Sequence, residues 1–284
     1  MTNLVGLSTT YFAIQGKNIY DSVESVLDMG FNTVELGAAH SYEQDVWSTV
    51  KKIRGDFSGT NFTVHGLFPP QEEKFWFNPS IGLTSLNKKT IEALFKAAEI
   101  TEAKVVGIHP GFLNKVGFGG ARSGFAMPTI GEEISREKAV KGLEEVVSFA
   151  LPKAREIGCD FAIESIPNEP LKATLFHAQD FQKLFEKFSG LGLLLDVGHA
   201  MVSGNIEELL LLVDKVREMH IHHFPGITPG NSLNDHKAFT SIEQLSFLEK
   251  VPQVKNIPLI FEHGNDVSKK EIVFEKKLVE QILE

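Results

Sequence analysis

One cysteine, Cys159, is all that the 284 residues contain. An intrachain disulfide framework is thereby excluded, and a reducing compartment is the expected setting. Cys159 stands in Gly158-Cys159-Asp160-Phe161, a context that suits a small buried apolar side chain better than a nucleophile. No apolar run approaches the ~20 residues that span a bilayer. The N-terminal Met1-Thr2-Asn3-Leu4-Val5-Gly6 has no basic segment leading into a long apolar one. Neither a membrane span nor a secretion signal is read, and the expected location is the cytoplasm. Positive charge is not in excess either. The 28 Lys and Arg against 37 Asp and Glu leave a formal net charge of −9, which disfavours a broad grip on nucleic acid while leaving room for a local basic patch. Low-complexity tracts, interdomain linkers and internal repeats are lacking as well. The Gly6-Leu7-Ser8-Thr9 turn after the first apolar run has no glycine fingerprint of a doubly wound nucleotide-binding sheet.

What is present is the balance of a soluble globular chain, 42% hydrophobic and 23% charged, in which short apolar runs alternate with longer amphipathic ones. The apolar runs read as strands at Leu4–Thr9, Asn32–Leu36, Asn61–Leu67, Lys104–His109, Asp160–Ser165, the leucine run to Asp196, Lys215–His222 and Asn256–Phe261. Between them, helical spacing predicts helices at Ile19–Met29, Gln44–Arg54, Leu83–Thr101, Ser135–Ile157, His177–Phe188, Asn205–Val213, Ser241–Lys250 and Ser268–Leu283. Eight strand–helix units argue for parallel strands with helical crossovers. The expected fold is an α/β protein, a single (β/α)8 TIM-barrel domain over residues 1–284, with a long glycine-rich loop at about 112–131 around Arg122 as a candidate lid or binding loop.

The strand ends carry the chemistry. Leu193-Leu194-Leu195-Asp196-Val197-Gly198-His199-Ala200 runs from a buried strand into an acid, a glycine turn and a histidine. A carboxylate at such a place is costly unless it is paired or bound to a metal. Capping of the next helix by Asp196 is the plainer alternative. The event recurs, with Glu35, His65, His109, Glu164, His220, His222 and Glu262 at or near the ends of other strands. In a barrel all of these project from one rim. Several carboxylates there would repel one another without a cation between them. Mixed imidazole and carboxylate donors suit zinc, manganese or a related divalent ion, and the lone cysteine argues against a thiolate site.

Val106-Gly107-Ile108-His109-Pro110-Gly111, Asp196-Val197-Gly198-His199-Ala200, Met219-His220-Ile221-His222-His223 and Phe261-Glu262 resemble the xylose isomerase-like TIM-barrel superfamily, which includes endonuclease IV and sugar epimerases. The resemblance implies a metal quartet of Glu164, Asp196, His220 and Glu262. His222, on the same strand face as His220, is the other candidate for the histidine. It further implies that His65, His109, His199 and His236 match the remaining histidines of a trinuclear zinc site, with Asn234 where that site has an aspartate and Asp235 beside it. The chain departs from the endonuclease pattern at Glu164-Ser165-Ile166-Pro167-Asn168, at His222-His223 and around Asp235-His236-Lys237.

Two reactions follow from one cradle of one to three Zn2+ or Mn2+ ions. In a sugar or sugar-phosphate isomerase or epimerase, Glu164 and Glu262 would move a proton next to a carbonyl, His199 would orient the substrate, and Glu35, Arg122 and His222 would contact its hydroxyls or phosphate. In an endonuclease IV-like phosphodiesterase acting on abasic DNA, the histidines would hold further zinc ions. A non-catalytic metal- or sugar-binding barrel is the third class. The departures and the acidic charge place the isomerase first. The few rim cations, Lys74, Lys115, Arg122, Lys172 and Lys237, suit a small sugar or sugar phosphate better than a nucleic acid, and no membrane partner is expected.

Overall fold

The structure is a computed structural model, which describes residues 3–73, 75–122, 125–168, 171–226 and 236–284. Among the described residues ten strands are formed: β1 (Val5–Ser8), β2 (Thr33–Leu36), β3 (Asn61–His65), β4 (Val105–Ile108), β5 (Asn114–Arg122), β6 (Phe125–Glu133), β7 (Asp160–Glu164), β8 (Leu191–Asp196), β9 (Val216–Ile221) and β10 (Leu259–Phe261). Eight of them close in the order β1-β2-β3-β4-β7-β8-β9-β10, every pairing parallel and β10 returning to β1. This is the (β/α)8 TIM barrel expected from the alternation of runs.

The local chemistry matches the elements. β8 is buried along its whole length, as a strand covered on both faces must be. Helix starts are fixed by side chains that accept from backbone N–H groups: Asn18 from Asp21, Thr84 from Asn87, Ser135 from Lys138 and Ser268 from Glu271. Two predicted helices come out differently. Asn205–Val213 is one α-turn, Ile206–Leu209, followed by 3-10 turns over Leu210–Lys215, and Ser241–Lys250 is 3-10 over Glu243–Lys250. In the first, a kink at Leu212 buries Leu209, Leu210 and Leu212 while Leu211 is left outside. Propensity cannot register such a tertiary compromise.

The glycine-rich segment also differs. Instead of an irregular loop at 112–131, it is an antiparallel hairpin of β5 and β6 standing beside the barrel. Its base is pinned to the loop after β7 by Leu113 N–H donating to the Lys172 carbonyl at 2.8 Å and by the Phe112–Ala173 bridge. A small apolar cluster of Phe112, Ile166, Leu171 and Ala173, with Trp76 and Val116 against it, fills the junction. Asn78 ties in the other side, donating to the Asn114 carbonyl at 2.8 Å and accepting from Phe112 N–H at 3.0 Å.

The turn that carries Asn78 leans on the Arg136–Ile157 helix at Gly142. A Cβ there would lie 2.3 Å from the Ser80 carbonyl oxygen and 2.7 Å from Gly82 N, both backbone atoms. Gly142→Ala is therefore expected to lower stability by ~1–3 kcal/mol, as overpacking does, with a fall in the thermal midpoint followed by circular dichroism. An unchanged midpoint would show that the turn yields at no cost.

Candidate metal centre

β7, β8 and β9 deliver the middle of the site. Glu164 ends β7, Asp196 ends β8 and His220 lies near the end of β9, with register pairs Glu164↔Leu194 and Asp196↔His220. Glu164 is fully buried and its two oxygens face two different sets of imidazoles. Oε2 lies 2.7 Å from His65 Nε2 and 3.0 Å from His109 Nε2. Oε1 lies 3.3 Å from His199 Nδ1 and 3.7 Å from His220 Nδ1. His220 Nδ1 is in turn 3.6 Å from Asp196 Oδ2 and 3.3 Å from Glu262 Oε2.

Among the described residues five groups of donor atoms result, each within 4.8 Å of one another: His65, His109 and Glu164; Glu164, Asp196, His220 and Glu262; His199, His222 and His236; Glu35, Glu218 and His220; and Glu35, His65 and Glu262. The first two share Glu164. Glu164 Oε1, His199 Nδ1 and His220 Nδ1 are buried without a hydrogen-bond partner. Buried polar atoms left this way are costly, and here they converge on the same space. A divalent cation fits this donor set of imidazoles and carboxylates.

Asp196 caps the next helix, the plainer of the two readings, and also faces the donor set. Its Oδ1 caps the Val197–Ser203 helix by accepting from His199 N–H at 2.7 Å, while its other oxygen faces His220. His222 braces it from the side. His222 Nε2 is 2.9 Å from Asp196 Oδ1, and its Nδ1 accepts from the backbone N–H of His236 at 3.0 Å. A nitrogen that accepts carries no proton, so Nε2–H donates to Asp196. The ring also stacks on His236 at 4.0 Å between centroids. Gly198 makes room for it, since a Cβ there would come within 2.0 Å of the imidazole. The sequence offers His222 as a substrate contact or as the alternative to His220 among the ligands; in the structure it bridges Asp196 and His236 and is a member of the third donor group.

Of the residues named from the sequence, His65, His109, Glu164, Asp196, His199, His220, His222, His236 and Glu262 are brought together at one rim. Glu35 joins them too, 1% exposed, with its Oε2 2.9 Å from His220 Nε2 and its carboxylate within reach of His65 and Glu262. The Arg122 side chain, Asn234, Asp235 and Lys74 lie outside the described residues. Glu218 was missed. It is fully enclosed on β9, two residues before His220 and so on the same strand face. An acid inside the buried run Val216–Ile221 was the available signal.

The charges explain the protonation pattern. Burial alone would lower the imidazoles, but the carboxylates around them win. His65 is held at about 9 chiefly by Glu164, His199 at about 10 by Asp196 and Glu164, and His220 well above its ordinary value by Glu35 and Glu262. Burial would raise the acids, but the histidines hold Glu164, Asp196 and Glu262 below the usual carboxylate range. His222 goes the other way, pushed down to about 4 by burial and by neighbouring His236 and His199 against the pull of Asp196. In the metal-free protein, protons on His65, His199 and His220 supply the positive charge that the acids require.

Stability should follow. His65 and His199 have folded-state values above the ordinary 6.5, so their contribution is complete below pH ~6.5 and is lost as pH rises through about 9 to 10. Glu164, Asp196 and Glu262 contribute in the opposite sense, above their unfolded values near 4, and lose that contribution in acid. The thermal midpoint of metal-free protein is expected to fall between pH ~7 and ~9.5 and to fall less with zinc bound. A midpoint that is flat or rises over that interval without metal would contradict the assignment.

Comparison with known proteins agrees with this architecture. Residues 23–244 match the family model described as xylose isomerase-like TIM barrel, AP endonuclease family 2. The uncharacterized protein MJ1614 of Methanocaldococcus jannaschii is 24% identical over 225 residues, 78% of each chain. Among solved structures, a D-tagatose 3-epimerase-like protein superposes with a TM-score of 0.69 at 17% identity, covering 100% of this chain and 98% of that one. The AP endonuclease, family 2, from Brucella melitensis superposes at 0.68 and 12% identity, covering 98% of this chain and 99% of that one. At such identities these structures bear on the fold. Proteins of this group are generally enzymes and commonly bind divalent metals. With its closed eight-stranded barrel and the match over residues 23–244, the chain belongs to the xylose isomerase-like TIM-barrel family.

Proposed function

We propose that the protein is a metal-dependent phosphoester hydrolase with a zinc centre of two or more ions, acting on a small phosphorylated substrate. The observation that carries this reading is the shared carboxylate of Glu164, one oxygen facing His65 and His109 and the other facing the Asp196, His220 and Glu262 group. A one-ion isomerase needs only the quartet. Two adjoining donor sets with a common carboxylate are the arrangement that clamps a phosphoester. His65, His109 and Glu164 would hold one ion, Glu164, Asp196, His220 and Glu262 a second, and His199 and His236 would serve a third. Such ions supply positive charge to the phosphoryl oxygens and ease the deprotonation of water.

The chain's own groups divide the remaining work. Glu262 is the one quartet carboxylate with an exposed edge, its side chain 16% accessible against 0% for Glu164 and Asp196. It is placed to take the proton of an attacking water. His109, 35% accessible, stands at the opening, where substrate oxygens arrive. The preference for a small substrate rests on charge. Lys115 is paired with Glu132 and Lys237 with Asp266 at the surface, so two of the rim cations counted from the sequence are already matched. A duplex needs many unmatched cations.

The sugar isomerase remains a second reading, and the completeness of the quartet favours it: Glu164 and Glu262 flank His220 and could exchange a proton with a carbon acid over a single ion. The test is a parallel assay of protein supplied with zinc or manganese on a model phosphodiester, an abasic duplex and a panel of ketoses and their phosphates. Metal-dependent hydrolysis of the small ester is expected, absent in His109→Ala and lowered ~10²–10⁴-fold in Glu262→Gln. Proton exchange on a sugar without hydrolysis, unaffected by His109→Ala, would turn the assignment to the isomerase. Nicking of the abasic duplex would restore nucleic acid as the substrate.

A further inference from the structure

The barrel interior below the metal centre holds a polar layer that none of the chemistry above uses. Glu35 on β2 and Glu218 on β9 are each 1% exposed. β2 pairs with β1 and β3, and β9 with β8 and β10. Contacts from β2, or from its neighbour β3, to β9 therefore cross the lumen, and one of each is made. His220 Nε2 lies 2.9 Å from Glu35 Oε2, and Thr63 Oγ1 on β3 donates to Glu218 Oε1 at 3.0 Å. Glu218 Oε1 also lies 3.9 Å from His220 Nε2.

As a device for stability this layer is poor. Glu35 Oε1 and Glu218 Oε2 are buried with no hydrogen-bond partner, which is costly for a polar atom. Branched apolar side chains fill the same layers in other barrels without that cost. What the layer does accomplish is geometric. An imidazole whose Nε2–H is given to a carboxylate has a fixed ring orientation, with its Nδ1 lone pair turned the other way. For His220 that direction is toward Glu164, Asp196 and Glu262, at 3.7, 3.6 and 3.3 Å.

We propose that Glu35 is a positioning residue, holding His220 from across the barrel so that Nδ1 faces the metal quartet, with Glu218 and Thr63 bracing the layer. Glu35 is thereby not a substrate contact. The inference rests on His220 being a metal ligand, and it assigns the behind-the-ligand carboxylate that such histidines commonly have. The anion also makes Nδ1 a stronger donor, so its loss acts on metal affinity before it acts on turnover.

The experiment is zinc competition against a chromophoric chelator for wild type, Glu35→Gln, Glu35→Ala and His220→Ala, each purified metal-free and checked for a folded circular dichroism spectrum. Glu35→Gln keeps the shape of the side chain and folds even where Glu35→Ala does not. One class of zinc site is expected to weaken about 10–100-fold on loss of Glu35, while the others are retained. In zinc-loaded protein labelled with 15N-histidine, the Nε2–H signal of His220 should move in Glu35→Ala, a change that a mere packing role would not produce. Wild-type affinity in both Glu35 variants, with loss in His220→Ala, would overturn the role of Glu35 and leave the metal centre standing. Wild-type affinity in His220→Ala as well would remove the quartet itself.

Discussion

Negative charge gathered inside a closed barrel is the constraint on which this molecule is built. Glu35, Glu164, Asp196, Glu218 and Glu262 lie within one cavity and its floor, four of them at 1% exposure or less. Acids so placed repel and are expensive to desolvate. Imidazoles answer that charge: His65 and His109 on one side of Glu164, His199 and His220 on the other. The result is balanced either by protons or by metal ions, and the unpartnered Glu164 Oε1, His199 Nδ1 and His220 Nδ1 show where the hydrogen-bonding capacity of the protein itself runs out.

The fold supplies the rigidity for this. Most site residues come from the ends of β3, β4, β7, β8, β9 and β10 or from the turns just beyond them, so the parallel register fixes their relative heights. Around the rim, supports reach in from outside the barrel. The loop carrying His236 is held by Glu275 of the Lys269–Leu283 helix, whose carboxylate accepts from Phe239 N–H at 2.8 Å and pairs with buried His263 at 2.6 Å. Elsewhere the β5–β6 hairpin is clasped at its base by Asn78 and the Phe112 cluster.

Much of this was legible before any coordinates. The periodic alternation of runs gave all eight barrel strands, because a strand buried on both faces cannot disguise its leucines and valines. Strand-end acids and histidines were legible for the same reason: polar residues abutting apolar runs stand out. Other features depended on contacts between distant segments. Sequence spacing cannot tell that Glu35 lies under His220 while Glu262 lies beside it, since both simply end a strand. His222 is one strand step from His220, yet its ring turns to Asp196 and the His236 backbone because Gly198 leaves space for it. The hairpin was hidden by its glycines, which weaken strand propensity. Its pairing comes from the cross-strand register and from anchors at Asn78 and Lys172.

The central claim is that Glu164 joins two ion-binding sets into one centre. Zinc counted by native mass spectrometry on protein purified without added metal, and again after titration with zinc, tests it most directly. The account predicts at least two ions per chain, with Glu164→Gln losing more than one of them together because both sets depend on that side chain. A wild-type protein that saturates at a single ion, or a Glu164→Gln variant that keeps the full complement, would contradict it.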